Sequence, residues 1–159
     1  MIDNNGRASL TSVGLYELIP DGPDSSTTAV TGAARWMSPE LLFPERFGLS
    51  TVSLTMESDC YALGMVVYEV LSGQQPFPQC SDATAVYGTL MGERPERPRG
   101  GWFLDDTWEM LEQCWRYQPS DRPSLGVVLR CLQGAASQCS WLVSNRSREI
   151  CNSTFDYAV

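Results

Sequence analysis

Apolar side chains occupy nearly every face of one stretch in the middle of the chain. A helix that is apolar nearly all round belongs inside a domain, where no face meets water. Gly73 and Pro76 follow the stretch, and both residue types commonly end a helix. The pattern therefore predicts a buried helix over residues 61–71, with apolar positions at Tyr61, Leu63, Met65, Val66, Val67, Tyr68, Val70 and Leu71.

Further along the chain the pattern changes to helices with a single apolar face. Trp108, Leu111 and Trp115 recur at helical spacing and predict one face turned toward a core. Asp106 and Glu109 stand three residues apart, a spacing that resembles a capping box with the aspartate as the cap. A helix with its N-terminal cap at Asp106 is therefore expected.

A last amphipathic helix is predicted near the end of the chain, with Gly134 as its stop. Its apolar positions follow the i, i+3, i+4, i+7 pattern of a one-sided helix. This pattern is lost in residues 135–159, which are therefore expected to form a weakly ordered tail. The apolar positions of the helix are Leu125, Val128, Leu129 and Leu132.

The sequence of the first part of the chain predicts a small hairpin followed by a loop. Residues 1–13 contain the turn sequence Asn4–Gly6, and Asn and Gly both tolerate a positive φ. Residues 19–34 are rich in Pro, Gly, Asp, Ser and Thr without an apolar period, which indicates a loop. Ser38 followed by Pro39 is a helix-start pattern. The predicted fold class is mainly α with one small N-terminal β-hairpin.

The composition excludes several classes of function. The chain has a net charge of -8, so nucleic acid and anionic membrane are not expected partners. All 11 basic residues are arginines, and without histidine or lysine there is no Ser–His pair, His metal ligand or phosphate-binding lysine. No apolar run reaches the length of a membrane span, and the N-terminus does not resemble a signal peptide. We therefore expect a cytoplasmic protein with no metal site and no bound cofactor.

Six cysteines leave two interpretations open. An even number is compatible with disulfides, whereas the absence of a secretory signal favours reduced, mostly buried thiols. No pair has the C-x-x-C spacing of a zinc or redox site. The cysteines are Cys60, Cys80, Cys114, Cys131, Cys139 and Cys151.

Three motifs in order resemble a known family. Gly32–Glu40 resembles the A-P-E end of a protein-kinase activation segment, and Ser58–Val66 resembles the start of the central helix of the kinase C-terminal lobe. Cys114–Ser124 is similar to the C-W-x-x-x-P-x-x-R-P signature of tyrosine kinases and the tyrosine-kinase-like group. The resemblance covers residues 1–134 and implies the C-terminal lobe of the α+β eukaryotic protein-kinase fold. It places the activation segment at residues 14–40.

The resemblance also implies a structural frame. Glu40 of the A-P-E motif would pair with Arg122 of the late signature, because a guanidinium fork suits a carboxylate bidentately. Trp36 and Trp115 are the tryptophans of these two motifs and would be structural. Two interpretations of Asp59 are open: it bonds the catalytic-loop backbone, as in the family, or it only caps the buried helix.

The D-F-G position of the family is altered in this chain. Ser12, Val13 and Gly14 align with the Asp, Phe and Gly of that motif. A neutral hydroxyl is a poor replacement for a carboxylate that holds magnesium. The Gly-rich loop, the lysine and the catalytic Asp and Asn of the family are expected upstream of residue 1. No catalytic residue and no cofactor are therefore predicted here, although the intact family uses ATP and Mg²⁺.

The predicted activation loop carries several hydroxyl side chains. Phosphorylation there could order the loop by pairing with arginine, and the other interpretation is that these are ordinary solvated loop residues. The candidate phosphorylation sites are Ser25, Ser26, Thr27, Thr28 and Thr31.

Three functional hypotheses follow from the sequence. The first is a pseudokinase-like binding or regulatory module in signalling, inactive alone, whose partners are other proteins or a kinase N-terminal lobe. The stretch that runs from residues 77–80 to residues 101–103, with residues 94–98, would form part of its docking surface. The second is an incomplete piece of a longer ATP-dependent kinase that phosphorylates proteins on Ser, Thr or Tyr. The third is an acidic helical interaction protein unrelated to kinases.

Overall fold

The computed structural model describes residues 33–98 and 103–138, and these residues are mainly helical, as predicted. No strand occurs among them, and the predicted hairpin at residues 1–13 lies outside this part of the chain. Within this part of the chain, short 3₁₀ turns occur at Ala34–Trp36, Pro44–Phe47 and Pro119–Asp121. The α-helices are α1 (Pro39–Leu42), α2 (Met56–Ser72), α3 (Asp82–Leu90), α4 (Asp105–Cys114) and α5, which includes residues 125–138.

Helix α2 begins at a reciprocal cap that the sequence pattern did not reveal. The backbone N–H of Ser58 donates to Thr55 Oγ1 at 3.1 Å, and the backbone N–H of Thr55 donates to Ser58 Oγ at 3.0 Å. Two otherwise unpaired donors are thereby satisfied. Asp59 lies one residue further into the helix and is exposed, so its interpretation as the cap is wrong. The helix ends as predicted at Gly73, whose φ of 70° is a conformation that glycine adopts easily.

One face of α2 forms the centre of the core, and the opposite face does not. Tyr61, Met65 and Tyr68 are buried, whereas Val66 and Val70 are 44% and 74% exposed. The prediction that this helix is buried all round is therefore wrong for the second face. In the described part of the chain, α2 packs against α4 and the turns Ala34–Trp36 and Pro119–Asp121, and the apolar composition of the helix does not reveal which face they cover.

Four aromatic rings fill the space between α2 and α4. Trp115 lies edge-on to Tyr68 and Trp108, with ring centroids 6.0 Å and 5.7 Å away. Phe103 closes the set, with its centroid 5.5 Å from Trp108 and 6.0 Å from Tyr68. Tilted and edge-to-face pairs at these distances are favourable beyond their burial. The face predicted from Trp108, Leu111 and Trp115 therefore does point into the core.

The start of α4 corrects the second capping prediction. The residue at the N-cap position is Leu104, which makes no side-chain cap, and Asp106 lies inside the first turn. A capping box at Asp106 and Glu109 is therefore wrong. Acidic side chains in a first turn still favour the helix, because they face the positive end of its dipole.

Helix α5 is longer than predicted. Val128 is fully buried and Leu125 and Leu132 pack against the core, but Leu129 is exposed. The helix continues through Gly134 to residue 138, so this glycine does not stop it. A single glycine costs a helix only about 1 kcal/mol, which neighbouring alanines can offset.

Gly64 permits the close contact between α2 and α4. A β-carbon at this position would lie 2.6 Å from Trp115 Nε1 and 2.9 Å from Cys114 Cβ. We expect Gly64→Ala to lower the free energy of unfolding by about 1–3 kcal/mol through overpacking, although alanine is the better helix former. Urea denaturation measures the change. Gly126→Ala in α5 is the matched control, because it meets nothing closer than 3.7 Å and should be neutral or stabilising. Equal midpoints for the two variants would contradict the steric argument.

None of the helices within residues 33–98 and 103–138 has the length and apolar character needed to cross a bilayer.

Candidate functional site

Residues 34–42, which we call the anchor segment, lie on α2 and α3. The turn Ala34–Trp36 contacts both helices, and α1 follows it immediately. Ser38 stands at the N-cap position of α1, and Pro39 at the first position lacks the N–H that would have no partner there. The start predicted from Ser38 and Pro39 is confirmed, although the Ser38 side chain makes no cap hydrogen bond. This arrangement brings Arg35 and Glu40 into the interior.

Glu40 and Arg122 form the bidentate pair that the family resemblance implies. Arg122 Nη1 donates to Glu40 Oε1 at 2.6 Å, and Nη2 donates to Oε2 at 2.8 Å. Both residues are buried, and the arginine has a full set of acceptors. A guanidinium has five N–H donors, and its remaining three are directed at main-chain carbonyls. These carbonyls belong to Arg116, Glu57 and Tyr117.

The surroundings of Glu40 keep its carboxylate charged. Burial alone would raise the pKa of Glu40, but the hydrogen bonds and positive charge of Arg122 outweigh it. The pKa of Glu40 is therefore lower than the ordinary glutamate value of 4.5. The pair is a permanent ionic contact at neutral pH.

The lowered pKa of Glu40 predicts acid sensitivity. Because the folded-state pKa is depressed, the contribution of Glu40 to stability is fully present above the unfolded value and is lost as the pH falls through the folded value. We expect the urea midpoint to fall on acidification from about pH 6 to about pH 3. Glu40→Gln should be less stable near neutral pH but should lose less on acidification. Parallel curves for the two proteins would contradict this assignment.

Arg35 ties the anchor segment to the loop before α3. The residue is 5% exposed, and its Nε donates to Asp82 Oδ1 at 2.6 Å. Nη1 donates to the carbonyls of Pro76 and Phe77 at 2.9 Å and 2.7 Å, and Nη2 donates to that of Cys80 at 2.5 Å. Phe77 has a φ of 53°, which is unfavourable for an aromatic residue. Arg35 therefore stabilises a loop whose backbone is strained.

The two motif tryptophans have different surroundings. Trp36 Nε1 donates to Glu69 Oε2 of α2 at 3.0 Å, which fixes the turn of the anchor segment against that helix. Trp115 is buried in the aromatic cluster, and its main-chain carbonyl accepts from Arg94 Nε at 2.6 Å. Both tryptophans therefore hold neighbouring elements together.

Two arginine guanidinium groups lie against the ring of Tyr61. The central guanidinium carbon of Arg94 is 5.4 Å from the ring centroid, and that of Arg122 is 5.1 Å away. Cations over an aromatic face at these distances are attracted to it. Tyr61 thereby links the Glu40–Arg122 pair to the loop after α3.

The docking surface expected from the sequence is only partly available. The side chains of Phe77 and Phe103 are buried in the core, so they cannot contact a partner. Arg94 is committed to the carbonyls of Trp115, Thr89 and Glu93. Glu96 and Arg97 are exposed, and Arg97 also bonds Asp105 at 2.7 Å. Residues 101 and 102 lie outside the described part.

Several predicted site residues lie outside residues 33–98 and 103–138. They are the D-F-G-like residues and the candidate phosphorylation sites: Ser12, Val13, Gly14, Ser25, Ser26, Thr27, Thr28 and Thr31. Within the described part there is no group of three or more His, Cys, Asp or Glu side chains that could hold a metal ion.

Sequence reasoning missed the role of Arg35 and Arg94. Both donate mainly to main-chain carbonyls. Any residue can supply a carbonyl, so the types of the partner residues do not predict these contacts. The available signal for Arg35 was a single cation among the apolar and small residues 33–37, which indicates a buried charge that needs acceptors.

The fold and the site together define a class of protein. Helices pack around α2, and an arginine of a later turn holds a buried glutamate of a short helix. This arrangement is consistent with the C-terminal lobe of a protein kinase. The chain belongs to the protein tyrosine and serine/threonine kinase family, whose sequence profile matches residues 1–132.

The curated relatives are kinases of several specificities. Proto-oncogene tyrosine-protein kinase ROS of Mus musculus is 35% identical over 100 residues, which cover 62% of this chain and 4% of that protein. The dual serine/threonine and tyrosine protein kinase of Bos taurus is 30% identical over 139 residues, which cover 84% of this chain and 14% of that protein. The dual specificity protein kinase shkD of Dictyostelium discoideum is 23% identical over 140 residues, which cover 88% of this chain and 18% of that protein. The chain thus spans less than a fifth of each of these relatives.

Proposed function

We propose that this chain is a protein-binding, regulatory part of a kinase domain in signalling, and that it does not transfer phosphate alone. The observation that carries the proposal is Ser12, which the D-F-G-like sequence of residues 12–14 puts in the position of the metal-binding aspartate. Phosphoryl transfer depends on metal ions that neutralise developing charge, and carboxylates hold them. A neutral hydroxyl supplies no such charge. The proposed module therefore uses neither ATP nor Mg²⁺.

The structural frame supports a binding role. Glu40–Arg122 and the contacts of Arg35 hold α1, the anchor segment and the loop before α3 together, which gives the described part of the lobe a fixed interior behind its surface. Tyr87 and Met91 are both exposed, at the end of α3 and directly after it. Exposed apolar side chains four residues apart can enter a partner's groove together. The proposed partners are proteins, including a kinase N-terminal lobe.

We also propose a cytoplasmic location. The four described cysteines are free thiols, which is typical of proteins in a reducing compartment.

The test is Mg²⁺-dependent phosphate transfer by the full-length protein that contains this chain. We expect turnover below about 0.01 s⁻¹ on a generic protein substrate, against about 1–100 s⁻¹ for active protein kinases. Ser12→Ala should behave like the wild type, because the hydroxyl has no metal to bind. Ser12→Asp restores the carboxylate and shows whether that position limits activity.

Turnover in the range of active kinases, dependent on Mg²⁺ and lost in a Ser12→Ala variant, would contradict the proposal. That outcome would support the competing function, in which the chain is one piece of an ATP-dependent kinase that phosphorylates proteins.

A further inference from the structure

A cavity lies between the start of α4 and the second half of α5. It has a volume of about 160 Å³ and is open to solvent. A cavity of about 150 Å³ can hold benzene, which has six non-hydrogen atoms, so this one has room for a ligand of similar size. Leu104 provides part of its apolar wall, and the absent side chain of Gly134 leaves another part of the wall open.

One polar group of the cavity wall lacks a partner. Thr107 lies in the first turn of α4 and lines the cavity, and this residue is only 2% exposed. Its Oγ1 has no hydrogen-bond partner among residues 33–98 and 103–138. Folded proteins leave few buried hydroxyl groups unsatisfied, and each one that remains requires an explanation. A polar ligand seated against this wall would supply the missing hydrogen bond.

Two side chains of opposite charge line the cavity without pairing. Asp106 and Arg130 are both exposed, and neither forms an ion pair within the described part of the chain. The guanidinium of Arg130 lies along α5 near Gly126, with an exposed side chain that can turn toward a ligand. A ligand with a carboxylate and an ammonium group close together can bind both residues through charge-assisted hydrogen bonds.

We propose that this cavity binds a small zwitterion of the free amino-acid kind. The ligand carboxylate bonds Arg130 and accepts from the Thr107 hydroxyl, and the ligand ammonium group bonds Asp106. The volume limits the side chain of the ligand to a few atoms, and L-alanine, with six non-hydrogen atoms, matches benzene in size. The cavity shares no residue with the Glu40–Arg122 contact, so this proposal is independent of the proposed function.

Cys131 can report whether the cavity is occupied. Its thiol is partly exposed, and Sγ lies 3.8 Å from the main-chain oxygen of Asp106 at the cavity wall. Burial raises the pKa of the Cys131 thiol, and the charge of Asp106 acts in the same direction. The thiol therefore reacts slowly with an alkylating reagent, and a ligand in the cavity should slow it further. Cys80 is also partly exposed but lies in the loop before α3, so it is the internal comparator.

Alkylation in the presence of three probes tests the proposal on the full-length protein that contains this chain. The probes are L-alanine, propionate, which lacks the ammonium group, and isopropylamine, which lacks the carboxylate. Iodoacetamide labels the thiols, and the protein is then digested with trypsin. The tryptic peptide that follows Arg130 ends at Arg146 and contains both Cys131 and Cys139, so its fragment ions locate the label.

The zwitterion should protect Cys131 better than either of its halves. We expect L-alanine to slow the labelling of Cys131 with a half-maximal effect at about 1 mM, and to leave Cys80 unchanged. Propionate and isopropylamine should each bind at least about tenfold more weakly, because each lacks one charged hydrogen-bonding group.

Variants separate the contributions of the cavity residues. Arg130→Gln and Asp106→Asn should each weaken the protection about tenfold. Thr107→Val removes a hydroxyl that has no partner in the described part of the free protein, so it should weaken binding without lowering the urea midpoint. Gly134→Leu fills open space at the cavity with a better helix former, and should abolish protection without destabilising α5. Arg116→Gln is the matched control, because Arg116 is exposed and does not line the cavity.

Each variant is compared with itself in the absence of a probe, because Asp106→Asn also changes the reactivity of Cys131. Three results would overturn the proposal: no protection of Cys131 at the solubility limit of L-alanine, equal slowing of Cys80, or protection by propionate or isopropylamine as strong as that by L-alanine. The comparison of the three probes on the unsubstituted protein decides the question even where a variant fails to fold.

Discussion

Arg122→Ala is expected to lower the free energy of unfolding by about 3–5 kcal/mol, because it leaves Glu40 buried without its partner. In the folded protein the carboxylate accepts two hydrogen bonds from the guanidinium, at 2.6 Å and 2.8 Å. The truncation also removes the donors of three carbonyls, of Arg116, Glu57 and Tyr117. A buried carboxylate that loses its counter-charge either takes up a proton or opens the site to water. Urea denaturation followed by circular dichroism measures the loss.

A nearby arginine provides the control for this substitution. Arg116 is exposed and makes one long hydrogen bond, to the carbonyl of Asp121 at 3.3 Å, so Arg116→Ala should change stability by less than about 0.5 kcal/mol. Adding Glu40→Leu to Arg122→Ala removes the stranded charge, and the double variant should lose less than the sum of the single losses. An Arg122→Ala protein with the wild-type midpoint would show that the pair does not hold the lobe together.

The Glu40–Arg122 contact was accessible from the sequence for a specific reason. Its two residues belong to motifs that resemble those of a known family. Their pairing could therefore be inferred without knowing the backbone path between them. Periodicity supplied the other correct predictions: the core face of α4 and the buried Val128 of α5 follow from the 3.6-residue repeat. The C-terminal end of α2 followed from Gly73.

The capping errors have a common local cause. Asp106 was predicted to be a cap, and capping was one of the two interpretations of Asp59, because aspartate is a frequent capping residue. Each lies within the first turns of its helix instead. The actual cap of α2 is Thr55, with Ser58 in the place where a glutamate or glutamine is usual. Several residues near a helix start can serve as caps, and only the backbone path decides between them.

The exposed face of α2 and the contacts of Arg35 depend on tertiary structure. A helix that is apolar on all sides can be buried, but its sequence does not indicate how many neighbouring elements cover it. In this fold Val66 and Val70 remain exposed. The acceptors of Arg35 are carbonyls of a loop whose residue types carry no matching signal. Residue identity predicts side-chain partners far better than main-chain partners.

Arg35→Ala is expected to cost about 3 kcal/mol and to loosen the loop at residues 76–82. The guanidinium is the donor to three carbonyls of that loop, and a buried carbonyl that loses its donor costs about 1–3 kcal/mol before relaxation. The substitution also removes the side chain that helps to hold Phe77 at its strained φ. Urea denaturation measures the stability, and amide hydrogen exchange at residues 76–82 measures the loosening.

Two further variants separate the charge of Arg35 from its shape. Arg35→Lys keeps the charge, but a single ammonium cannot reach four separate acceptors, so it should recover less than half of the loss. Asp82→Asn removes only the ion pair with an exposed carboxylate and should cost less than about 1 kcal/mol. If Asp82→Asn were as damaging as Arg35→Ala, the ion pair and not the capture of carbonyls would be the source of stability. Unchanged exchange at residues 76–82 in Arg35→Ala would contradict the role of this residue in fixing the loop.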